Sequence, residues 1–212
     1  MSKIRQSIAV PVLVLMSLVS CGYQPQTGVE TKPAGVAELQ QDLRDLWVGH
    51  IFWVRHVVSN IATNDPEERV AAEKEVETNT KQIANTIMPF YGEAASEKFY
   101  RLLDGNIGAV EEYSEATAAG SKRQQDAALA HLASNADEIA DFLSRLNPYL
   151  KRDIVRSLIA THGAHHVLQI NQYKTKDYAP LGATWPMMRQ HVYVIADTLT
   201  TALAKQFPNK FS

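Results

Sequence analysis

From about residue 36 to residue 206 the apolar side chains return at steps of three and four, with no sustained alternation at steps of two. That step is one turn of an α-helix, and a helix that repeats it buries one face. Leu39, Leu43, Trp47, His50, Val54, Val57 and Ile61 mark a first helix over about 36–62. Asn64-Asp65-Pro66-Glu67-Glu68 reads as the next helix start, with a capping side chain, proline at the first position and acids in the first turn. That second helix runs to Met88, and Pro89-Phe90-Tyr91-Gly92 is a turn. A third helix carries Phe99, Leu102, Leu103, Asn106, Val110 and Tyr113 and ends at Gly120. Gly105 and Gly108 lie inside it, so either the helix breaks there or a neighbour packs close. Ser121 caps a fourth helix, with a kink expected at Ser134-Asn135.

Asn147-Pro148 ends the fourth helix and starts a fifth, whose stripe reads Ile154, Leu158, Thr161, His162, His165, Leu168 and Gln169. After a loop at Lys174 to Thr184, a sixth helix holds Met188, His191, Val194, Ile195, Thr198, Leu199 and Ala202. No alternating run or Asn-Gly hairpin competes with this reading. The expected fold is all-α: an antiparallel bundle of about six helices over residues 36–212. At 45% hydrophobic residues, the chain can fill one core of that kind.

The first thirty-five residues stand apart. Lys3 and Arg5 precede an apolar run from Ile8 to Val19, shorter than the roughly 20 residues that span a bilayer. The run ends at Leu18-Val19-Ser20-Cys21, with the chain's only cysteine at the junction. This resembles the lipobox of bacterial lipoproteins. The resemblance implies a signal peptide over 1–20, acylation of Cys21, and a membrane anchor on the exported side of the cell membrane or the outer membrane. Glycine rather than aspartate at position 22 leans towards the outer membrane. Residues 22–35 are rich in Gly, Pro, Gln and Thr and read as a flexible tether, about 45 Å long when extended. Once the leader is gone, the body has no thiol for a disulfide, a metal or a nucleophile. A formal charge of −2 with no long basic run argues against nucleic acid.

The mid-points of the helices share a chemistry. They fall near His50, Asn79, Asn106, Asn135 and His162. In an up-and-down bundle those mid-points lie at one height, which predicts a His/Asn layer across the core, flanked by His165 and His191. Buried polar groups cost about 1–3 kcal/mol each when unpaired, so these should bond one another, water or an ion. Gly49 and Gly163, each beside a layer histidine, are expected to let the first and fifth helices approach closely.

Three of the seven histidines fall in His162-Gly163-Ala164-His165-His166. On a helix His162 can pair with either His165 or His166, with His50 or His191 as a third ligand. His162, His165 and His50 are the preferred set, and imidazole suits zinc, copper or iron. His166 is expected to turn partly outward. No HExxH, Glu-x-x-His or CxxCH is present, and no cofactor motif was found. A core histidine near Asp197 or Asp137 would also serve as a general base.

The body further resembles a family of small helical bacterial proteins without an established activity. The matching pieces are Leu46-Trp47-x-x-His50-x-x-Trp53-x-Arg55, Pro89-Phe90-Tyr91-Gly92, Asn135-Ala136-Asp137-Glu138-Ile139-Ala140 with Phe142-Leu143, Asn147-Pro148-Tyr149, and Ala196-Asp197 with Gln206-Phe207-Pro208. The resemblance implies the helical fold and supplies no reaction. Members carry a histidine near the position of Asn106, where this chain departs. The reading is therefore a membrane-tethered envelope lipoprotein whose bundle binds a partner protein or a small ligand. The alternatives are a histidine-based metal or haem binder and an envelope enzyme with a histidine base.

Overall fold

The computed structural model describes residues 34–211. Cys21, the leader and residues 22–33 of the tether lie outside them, while Ala34 and Gly35 already belong to the first helix. Six long helices and one short one follow: α1 (Ala34–Thr63), α2 (Pro66–Asn85), the one-turn α3 (Met88–Tyr91), α4 (Glu93–Ala119), α5 (Lys122–Leu146), α6 (Arg152–Thr175) and α7 (Tyr178–Gln206). A 3₁₀ turn at Pro208–Lys210 closes the chain, and no strand occurs among the described residues. None of the described helices is long and apolar enough to cross a membrane. The chain is all-α, as its periodicity requires.

Local chemistry sets most of the boundaries. The Asp65 carboxylate accepts from the Glu68 amide at 3.1 Å, with Pro66 in the first turn of α2. Gly120 adopts φ +71° and ends α4, while the Ser121 amide reaches back to the Ala116 carbonyl. Three expectations change. The loop expected over 174–184 shrinks to a left-handed turn at Lys176 and the cap Asp177, and α7 runs through Pro186. Burial of Leu181, Thr184 and Met188 on one face outweighs the hydrogen bond lost at that proline. α6 begins at Arg152 rather than at Pro148, because the Asn147 side-chain Oδ1 accepts from the Tyr149 amide and its backbone carbonyl from the Leu150 amide, which bends the chain. α5 runs continuously through Ser134-Asn135, since Asn135 bonds across to α4 instead of to its own turn.

In packing order α1, α2, α4, α5, α6 and α7 form a ring, with α7 returning to α1, while α1, α4 and α6 also meet across the middle. The apolar interior divides into two clusters. One holds Trp47, Ile83, Phe99, Leu103, Ile139, Ile159 and Val192; the other holds Val54, Val76, Val110, Leu132 and Ile170. On α2, α4, α5 and α6 a polar residue lies between the two clusters: Asn79, Asn106, Asn135, and His162 with His166; on α1, His50 stands among the last members of the first cluster, between Trp47 and Ile51. The layer read from the helix mid-points is therefore the boundary between two halves of the core.

The glycines serve different neighbours from those expected. A Cβ on Gly49 would meet the Asn79 amide nitrogen at 3.0 Å, and one on Gly163 would meet Leu132 at 3.5 Å. Neither glycine sits between α1 and α6. Successive helical residues point 100° apart, so a glycine next to an inward histidine borders a different helix. Gly105 lies against Asn135, where a Cβ would stand 3.3 Å from its amide, whereas Gly108 has nothing within 4 Å. Gly108→Ala is thus expected to raise stability by about 0.5–1 kcal/mol through helix propensity alone. Gly105→Ala should gain less, because it presses on the Asn106–Asn135 pair. Paired urea titrations check this, and an equal gain at both positions would refute the close-packing account.

Candidate metal centre

The centre is built where α1 crosses α6. On α6, Val155, Ile159, His162, Gly163, His166, Gln169 and Ile170 are buried, in steps of four, three, one, three, three and one. His162 and His166 are one turn apart on that face, and their Nε2 atoms approach to 3.3 Å. α1 supplies His50, whose ring centroid is 5.4 Å from that of His162 and 6.3 Å from that of His166. One ring nitrogen from each of the three lies within 4.8 Å of the others. Relative exposures are 4%, 2% and 0% for His50, His162 and His166. Trp47, one turn before His50, lines the same space, with centroids 5.5 Å from His50 and 5.7 Å from His162.

Burial decides the protonation of this group. Removal from water pushes His50 down to about 4 and His166 to about 3, the latter opposed only by the neighbouring Gln169 amide. His162 is held well below the usual histidine range by burial, with the surrounding histidines adding repulsion. Among the described residues no carboxylate contributes to the titration of any of the three. At neutral pH each ring is therefore uncharged, with one N–H and one lone pair.

Those groups cannot all be satisfied within the protein. The His162–His166 contact pairs one N–H with one lone pair. The Nδ1 atoms of His50, His162 and His166, the Trp47 indole Nε1 and the Gln169 Oε1 are buried without a hydrogen-bond partner. At about 1–3 kcal/mol for each unsatisfied group, such a concentration at one crossing calls for a guest.

The other candidates are distributed around this group. His165, expected among the metal ligands, is half-buried and packs edge-on against His191 at 4.9 Å on the α7 side. The His191 Nε2–H donates to the Leu158 carbonyl at 2.9 Å, and its ring stacks on that of His162 at 6.4 Å. His166, expected to turn partly outward, takes the place foreseen for His165. Two apolar pairs lie side by side on α6, Ile154/Leu158 and Val155/Ile159. The second pair is the one buried, while Ile154 is 55% exposed. That choice rotates the buried face by one residue and brings in His166. The buried Gln169, seven residues from His162, fits either phase and could not discriminate. Asn106 donates to Asn135 at 2.8 Å, and Asn135 donates to the Leu102 carbonyl at 2.8 Å, so this pair serves α4 and α5 rather than the histidines.

Neither acid foreseen as a partner for a histidine base fills that role. Asp197 is held by Arg44 at 2.6 and 2.8 Å and by Gln40 at 2.6 Å. Asp137 is held by Arg152 and Arg156. His131 is exposed and contacts Glu112, and His56 is half-buried beside Phe52 and Trp53. Comparison with protein-family models, with curated proteins and with solved structures finds no match to this chain.

Proposed function

We propose that this chain is an envelope lipoprotein whose helical bundle binds a metal ion in its core through His50, His162 and His166. The observation that carries the metal reading is the convergence of three buried imidazoles, with one ring nitrogen from each within 4.8 Å of the others. Imidazole nitrogen binds first-row metals only when deprotonated, and burial keeps these rings in that form at neutral pH. The residues present fit such a guest: His50 offers one ligand from α1, while His162 and His166 offer two from one face of α6. The half-buried His165 and His191 pack between this group and the outer edge of α6 and α7. The metal would add cross-linking of α1 to α6, hence stability, and retention of the ion away from water. The tether and Cys21 would keep the bundle at the membrane surface. Metal is thus favoured over a partner protein or haem.

The experiment is loading followed by elemental analysis of the full chain, carrying Cys21→Ser to remove its only thiol. One equivalent of metal is expected to survive gel filtration. His162→Ala and His166→Ala should each reduce it to background, and His131→Ala should retain it. Metal-free wild type, or equal loss in the His131 variant, would end the proposal. Helix content by circular dichroism separates loss of ligands from loss of fold.

A further inference from the structure

The donor set discriminates between ions. Resting on the metal reading above, we propose that the three-histidine centre selects a monovalent soft cation, cuprous copper, over divalent ions such as zinc.

Charge is the first argument. The ligands are three buried imidazoles, and among the described residues no carboxylate joins the group. An ion entering here keeps its full charge inside an apolar bundle. The cost of burying an ion grows with the square of its charge, so a divalent ion pays roughly four times the desolvation of a monovalent one. Sites that hold zinc offset that charge with thiolates or carboxylates, or with a water that can lose its proton. Here the surroundings are Trp47, Ile51, Ile159 and Met188, all buried and uncharged.

Coordination is the second. Three ring nitrogens fit the two- or three-coordinate geometry that cuprous copper accepts, whereas zinc takes four ligands. Zinc-bound histidine almost always donates its other ring N–H to a carboxylate, a carbonyl or water. The Nδ1 atoms of His50, His162 and His166 have no such acceptor in the protein. A soft monovalent ion polarises the imidazole less and depends less on that support.

The soft wall is the third. The Trp47 ring sits within 6 Å of two of the three imidazoles and presents an electron-rich, weakly polar surface, which favours a weakly hydrated cation.

The test is an anaerobic competition with the full-length Cys21→Ser chain. Cuprous copper is presented as its bicinchoninate complex, and zinc is presented separately with a colorimetric chelator. The protein is expected to withdraw one equivalent of cuprous copper and to hold it at least ~100-fold more tightly than zinc. X-ray absorption of the copper form should show about three nitrogen scatterers. His166→Asn should abolish copper withdrawal with helix content unchanged, and His131→Asn should not affect it. Zinc bound as tightly as copper would overturn the selectivity while leaving the metal reading intact. Binding of neither ion would overturn both.

Discussion

Acidifying the metal-free protein from pH 7 to pH 5 is expected to lower its melting temperature, and the three core histidines are the reason. An unfolded histidine takes up a proton near pH 6.5, whereas burial holds His50 near 4 and His166 near 3. Through that window the unfolded chain binds more protons than the folded one, so stability falls as the pH falls. Their contribution is fully present above the unfolded value and is lost progressively towards the folded ones. Between pH 7 and pH 5 the two together cost about 4 kcal/mol, and His162 acts in the same direction.

One buried group opposes them. Burial and the neighbouring Glu73 raise Glu111 to about 7, so the folded chain gains a proton there first, worth about 2 kcal/mol over the same window. The cleanest measurement is therefore the pH dependence of melting in a Glu111→Gln background, with chelator present. At about 2–4 °C for each kcal/mol in a domain of this size, a fall on the order of 10 °C is expected. Adding His50→Asn and His166→Gln should flatten the curve whatever those changes do to stability at pH 7. A curve just as steep in that variant would place the acid sensitivity elsewhere.

Asn147→Ala is expected to cost about 3 kcal/mol, more than a substitution in a loop normally would. Asn147 is fully buried; its side-chain amide donates to the Tyr91 hydroxyl at 3.0 Å, and its side-chain Oδ1 accepts from the Tyr149 amide at 2.9 Å. The Tyr91 hydroxyl in turn donates to Gln206 at 2.7 Å, and Gln206 donates to the Leu146 carbonyl at 3.1 Å. One network thus ties the α3 turn, the α5–α6 connection and the end of α7, with Phe207 packed beside Phe90 and Tyr91. Tyr91→Phe should cost about half as much, and the two changes should be non-additive by about 1 kcal/mol, because they share a bond. Urea midpoints of the two single variants and the double variant measure this. Full additivity would show that the contacts act separately.

This network joins three short pieces of the sequence: Pro89-Phe90-Tyr91-Gly92, Asn147-Pro148-Tyr149 and Gln206-Phe207-Pro208. Each looks like a turn signal in isolation. The polar layer was legible for a related reason. Short connections make neighbouring helices antiparallel, which is why polar residues were expected to meet at the helix mid-points. Among them the structure pairs Asn106 with Asn135 and brings His50 to His162, while Asn79 donates to the Leu46 carbonyl. The membership of the metal group was not legible, because three-residue and four-residue spacings both keep a side chain on the inner face. Nothing local distinguishes His165 from His166.

The amino-acid pattern by itself determined the all-α class, the succession of long helices and such ends as the Asp65 cap and the Gly120 stop. These follow from the period of the backbone and from propensities that act within a few residues. Only the tertiary structure decided which way α6 is rotated. That rotation depends on whether Val155 and Ile159 or Ile154 and Leu158 meet the rest of the bundle, a matter of packing among helices distant in sequence. It placed His166 against His50 and His162 in the dry interior and left His165 beside His191 at the half-buried edge.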